Sequence, residues 1–237
     1  MQKSKFTIII KSLAFLLLFT LSQSCKKSSD NTTSNTTGFS DSINKIVTPA
    51  ILDSLKSYGL VVNPGKQPPI INGIYLISPT YCIFDNSIGH DAGYTFSDYK
   101  FQFYGQDNTN LTIGLNYKNM TGTDNASGVG AFVAGNGNFF TAFIDSKGIA
   151  NGINYEDIMI ISGEVTTSGI SHWQNALYRK SKGYDPNNTL INVGDCRIFT
   201  IGSGEGTATK TSTYRVANHS KFEDIGQGFG SMLTRRL

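Results

Sequence analysis

The sequence predicts an all-β domain, an antiparallel meander of about ten strands preceded by one short helix. Three observations carry this. Apolar and polar residues alternate at period two through much of 73–217. Clusters of Gly, Asn, Ser and Thr separate the alternating stretches. Helical spacing is confined to 41–60.

The elements follow in order. In 41–60, Thr48 can cap a helix, Pro49 occupies its first position and Gly59 can close it. Ile51, Leu52 and Leu55 share one face, which Tyr58 extends. Such a helix lids or plugs the main domain. Residues 61–72 form a connector stiffened by Pro64, Pro68 and Pro69.

The β domain spans 73–217. Short strands are expected at 74–77 and 81–84. Tyr99, Phe101 and Phe103 alternate with Lys100 and Gln102, and after a loop at 105–110 Leu111, Ile113, Leu115 and Tyr117 alternate in turn. Residues 128–133 and 139–144 flank Gly135-Asn136-Gly137-Asn138, residue types that tolerate positive φ. Strands 158–165 and 170–178 flank Thr166-Thr167-Ser168-Gly169, and 190–201 and 207–216 flank a Gly-rich loop. Residues 218–237 form a C-terminal extension that matches neither pattern. A meander this long must protect its edges, so closure into a barrel is favoured over a two-sheet sandwich.

The N-terminus reads as an address. Lys3, Lys5 and Lys11 precede an apolar core at 13–21, then Ser22-Gln23-Ser24-Cys25: the organisation of a signal peptide over 1–24. The apolar run is shorter than the roughly 20 residues that a spanning helix needs. Residues 25–40 are polar and read as a flexible tether. Once these three lysines are set aside, the remaining Lys and Arg equal the 17 acids, so the net +3 belongs to the signal. A balanced chain of this kind is not an electrostatic nucleic-acid binder.

Cys25 at the end of the apolar core resembles the lipobox of bacterial lipoproteins, with Ser22 where that family favours Leu. The resemblance implies acylation of Cys25, and Lys26 after it implies an outer-membrane protein, in either leaflet, held by its lipid anchor. Ser22-Gln23-Ser24 also fits ordinary secretion. Gly73-Ile74-Tyr75 and Arg197 resemble the first-strand aromatic and late-strand Arg of lipocalin-like barrels. Thr48-Pro49-Ala50-Ile51-Leu52, 68–75 and 194–199 together resemble a family of uncharacterised bacterial lipoproteins, which implies no particular activity.

With Cys25 acylated, Cys82 and Cys196 remain in an oxidising compartment, and a Cys82–Cys196 disulfide is expected; separate buried thiols are the alternative. No catalytic, cofactor or metal set is visible. No Gly-x-Ser-x-Gly elbow occurs, and His90, His172 and His219 are far apart. The aromatics are the functional hint: 15 Phe, 11 Tyr and Trp173. The reading is a non-enzymatic, membrane-tethered lipoprotein whose barrel binds a small apolar ligand through Trp173 and Tyr178. The alternative is a surface adhesion or glycan-binding sandwich. A third possibility, an enzyme, places Glu156 or Asp157 in a cleft.

Overall fold

The computed structural model describes residues 39–204 and 206–214. The expectations for the signal peptide, Cys25, His219 and the extension 218–237 lie outside the described residues. No helix among the described residues is long and apolar enough to cross a membrane.

The chain is all-β, with two short helices rather than one. Helix α1 spans Asp41–Ile46 and α2 spans Pro49–Ser57. The break falls where the residue before a proline disfavours the helical region, and Thr48 is extended. Thr48 then caps α2, its hydroxyl accepting from the Ile51 N–H at 3.4 Å. The strands are β1 (Gly73–Ile77), β2 (Thr80–Asp85), β3 (Thr95–Phe96), β4 (Tyr99–Asp107), β5 (Thr112–Asn119), β6 (Asn125–Asn136), β7 (Phe139–Ala150), β8 (Ile153–Thr166), β9 (Gly169–Lys182), β10 (Cys196–Ile201) and β11 (Ala208–Thr211).

All eleven belong to one antiparallel sheet in the order β11-β1-β4-β5-β6-β7-β8-β9-β10-β2-β3. From β4 to β10 this is the expected meander. The departure is at Ser78-Pro79, where the chain leaves β1, paired with β4 and β11, for β2, paired with β10 and β3. The sheet curls into a partial ring. Strand β11 pairs with β1 and also with the start of β9 through Ala208 and Thr209, while the rest of β9 pairs with β10. This is one continuous sheet, not two stacked sheets, that curls back on itself through the β11–β9 pairing.

Two turns needed left-handed backbone and received it. Gly137 (φ 60°) turns β6 into β7. Asn151 and Gly152 (φ 50° and 75°) turn β7 into β8, the Asn-Gly pair that two-residue hairpins prefer. The expected strand 190–201 forms only from Cys196 onward, because Gly194 (φ 91°) sits in a turn closed by the Asp195 N–H on the Asn192 carbonyl.

The inner face of the ring is the main core. Trp173, Phe101, Phe103, Tyr117, Phe140 and Phe199 are all fully buried there or nearly so. A second apolar layer lies on the outer face. Ile43 and Val47, with Leu52 and Leu55 of α2, cover Phe143, Ile158, Ile160, Ala176 and Ile198. Strand β8 is therefore buried on both faces at Ile158-Met159-Ile160-Ile161, and its residues are continuously apolar. Strand β5 is covered on one face and alternates along its whole length.

Candidate functional site

The residues singled out from the sequence do not converge. Trp173 is buried in the inner core; its indole N–H donates to Asn175 at 3.0 Å, and its ring lies 5.1 Å from that of Phe101. Tyr178 points to the opposite face, toward α2. The two cannot line one cavity, because residues five apart on a strand lie on opposite faces. Arg197 lies over Phe96, at 5.4 Å from the ring centroid, rather than over Tyr75.

The expected Cys82–Cys196 disulfide is not formed; both are free, buried thiols. Cys82 belongs to the inner core and Cys196 to the outer layer. Along the β2–β10 ladder Cys82 opposes Phe199, three residues beyond Cys196. That offset is about 10 Å, too far for the bond. Burial pushes each thiol's pKa up to about 12, so neither is a nucleophile at neutral pH. Thiol titration of a Cys25→Ser variant is expected to find both unreactive in the native protein and both reactive once it is unfolded without reductant; a count of zero after unfolding contradicts this.

Glu156 and Asp157 are neighbours on β8 and likewise face opposite ways. Glu156 pairs with Lys147 at 2.6 Å on the outer face. Asp157 is fully buried inside, bonded to Arg179 Nε at 2.6 Å. Among the described residues no three His, Cys, Asp or Glu are grouped to hold a metal ion.

Two constellations come from the fold instead. The first is a closed polar cluster at one end of the ring. Tyr117, Ala126, Gly148 and Tyr155 form one cross-strand row on β5–β8. The small Ala126 and Gly148 let the Tyr155 ring lie across them; a Cβ on Gly148 would meet the Tyr155 hydroxyl at 2.3 Å. That hydroxyl donates to Asp124 and sits 3.0 Å from the Tyr117 hydroxyl, and Tyr99 donates to Asp124 at 2.9 Å. The Arg179 guanidinium lies 4.6 Å from the Tyr155 ring centroid. Burial raises the Asp124 pKa to about 7 and that of Asp157 to about 6. A second buried ion group, Arg197 with Asp85 and Asp91, ties β10 to the segment after β2. Both groups are sealed from solvent and serve the fold.

The second constellation is open. On the outer face of β5–β8, beyond the helices, a groove of about 580 Å³ crosses the strands. Two cross-strand rows make its floor: Asn116, Ser127 and Lys147, then Lys118, Asn125, Ile149 and Asn154. Tyr214, just after β11, forms a wall, with the Lys118 ammonium 4.4 Å from its ring centroid. One step along the same face, Tyr104 on β4 opposes Gly114 on β5. The Tyr104 ring lies flat on that glycine, as a Cβ there would sit 2.4 Å from the ring, and the side chain is 44% exposed. The groove thus joins amide donors and acceptors, a hydroxyl, two ammonium groups and tyrosine rings.

Comparison with protein-family models, with curated proteins and with solved structures finds no match.

Proposed function

We propose that this chain is a lipid-anchored envelope protein whose β domain is a non-catalytic binding module, and that the groove across β5–β8 takes an oligosaccharide. The lining of that groove carries the reading. Asn125 and Asn154 each offer a carbonyl acceptor and two N–H donors, and Asn116, whose amide gives one N–H to Gln102 at 3.3 Å, adds a carbonyl acceptor, the pattern that neighbouring sugar hydroxyls match. The exposed Tyr104 ring, flat beside the groove, offers the negative π face on which the C–H face of a sugar ring rests. The packed inner face favours this surface over the interior, since its rings are buried against one another.

The anchor half of the reading rests on Cys25 and the tether after it. Cys25→Ala is expected to move the protein from the membrane to the soluble fraction; unchanged fractionation contradicts it. The binding half is tested by an oligosaccharide array probed with wild type and with Asn125→Ala/Asn154→Ala. These are exposed outer-face positions, where substitution stays within about 0.5 kcal/mol of wild-type stability. The double variant is expected to lose about tenfold or more in affinity, two hydrogen-bonding side chains at roughly 1 kcal/mol each. An array on which both proteins bind the same sugars equally contradicts the assignment to this groove.

A second reading, a small apolar ligand, is favoured by one feature. A cleft of about 220 Å³ lies between α2 and β9–β10, lined by Ile51, Leu55, Tyr58, Tyr178 and Cys196. Native mass spectrometry separates the readings, as a co-purified lipid lost in Tyr178→Ala belongs to this cleft.

A further inference from the structure

We infer that the sugar taken by the β5–β8 groove carries acetamido groups: an N-acetylhexosamine oligosaccharide with one acetamide lying across Ile149, between Asn125 and Asn154. This rests on the oligosaccharide reading and adds its substrate class. The row concerned runs from Asn125 on β6 through Ile149 on β7 to Asn154 on β8, each directly opposite the next. All three line the groove, and residues paired in this way share one face of a sheet. Ile149 is the odd member. Its neighbours on the groove floor are amides, a hydroxyl and ammonium groups. It is half-buried and belongs to neither apolar layer of the domain. Core packing therefore does not account for an aliphatic side chain at this place.

The two amides beside it are placed and available. The Asn125 and Asn154 carboxamides have no hydrogen-bond partner among the described residues. Asn154 is fixed through its backbone, whose carbonyl accepts from the Gly183 N–H at 2.8 Å. An acetamide is a trans secondary amide, with its N–H and C=O pointing opposite ways. With a hydrogen bond at each end it spans about 8 Å between the outer heavy atoms. The β6 and β8 backbones stand two strand spacings apart, about 10 Å, and the Asn side chains take up the difference. One Asn donates to the acetamide carbonyl and the other accepts its N–H. The methyl group between them rests on Ile149, an apolar contact for an apolar group. A plain sugar hydroxyl at the same place cannot reach both amides, and against Ile149 it forfeits a hydrogen bond. The fit draws on no charge: Lys147, in the adjoining row, is already paired with Glu156 at 2.6 Å.

The test is isothermal titration with tri-N-acetylchitotriose and with cellotriose, β-linked trisaccharides of the same ring that bear an acetamide or a hydroxyl at the same carbon. Wild type is expected to bind the acetylated sugar about tenfold more tightly. Ile149→Asn is expected to remove most of that preference while leaving cellotriose binding unchanged. In the wild-type complex a nuclear Overhauser contact is expected between the acetyl methyl and the Ile149 δ-methyl, a readout that needs no variant to fold; a bound sugar without it contradicts the inference. Equal binding of the two sugars overturns this inference and leaves the oligosaccharide reading standing. Binding of neither also overturns it, and a blank array then removes the oligosaccharide reading as well. Trialanine competing as well as the acetylated sugar identifies a site for peptide amides and overturns the inference too.

Discussion

Replacing Arg197 with Met is expected to be among the most destabilising single changes in the domain, by about 3–5 kcal/mol. Arg197 is fully buried, and its guanidinium bonds Asp85 at 3.0 Å and Asp91 at 2.6 Å. Asp85 in turn accepts from the backbone N–H groups of Ser87 and Asp91. Burial pushes the Asp85 pKa up, but Arg197 and these bonds more than offset it, and the net direction is down. Met fills similar volume but leaves two buried carboxylates without their cation. Removing the charges as well, in Arg197→Met/Asp85→Asn/Asp91→Asn, is expected to recover part of the loss. Urea denaturation measures both. A loss under about 1 kcal/mol in the single variant contradicts the account of this group.

The second large effect is on pH. Asp124 has a folded pKa of about 7 against 3.8 for the ordinary group, and Asp157 about 6, both raised by burial. The folded state therefore holds more protons than the unfolded chain between about pH 4 and pH 7, and stability falls as pH rises through that window. The stabilising contribution is complete below the unfolded pKa and is lost through the folded one. The carboxylates with lowered values, such as Asp85 and Asp185 (about 2), act only in stronger acid and do not oppose this trend. The domain is expected to melt higher near pH 5 than near pH 8, by an amount worth several kcal/mol at about 1.4 kcal/mol per pKa unit. Asp124→Asn removes the charge, keeps one carbonyl acceptor for a tyrosine hydroxyl and turns its N–H₂ toward the other, which accepts; it is expected to flatten much of the slope. A melting temperature that rises from pH 5 to pH 8 contradicts the assignment.

Much of the fold was legible because sheet chemistry writes itself at period two. The alternation in Leu111, Ile113, Leu115 and Tyr117 became the alternating burial of β5. The turn at Gly135-Asn136-Gly137-Asn138 was equally visible, and Gly137 makes it with φ 60°. Sheet order was not legible, since nothing local in Ser78-Pro79 tells β1 and β2 to take different partners. The disulfide expectation failed for a related reason. Counting Cys82 and Cys196 is blind to sheet face and ladder offset, and these put them in separate layers. The aromatic count was sound, but Trp173 proved to be core. The groove could not be read in advance, because Asn116, Asn125, Lys147, Asn154 and Tyr214 come from separate segments. Each is an ordinary outward residue until register brings them together.

The central claim is that ligand is taken on the outer groove and not inside the ring. The most direct measurement is a ¹⁵N-correlation NMR titration of the protein with the oligosaccharide that binds best on the array. The account predicts shifts confined to the backbone amides of Asn116, Lys118, Asn125, Lys147 and Asn154 and the side-chain amides of the three asparagines, with the Trp173 indole N–H unmoved. Shifts centred on the Trp173 indole and its inner-face neighbours, with the groove amides unchanged, contradict it.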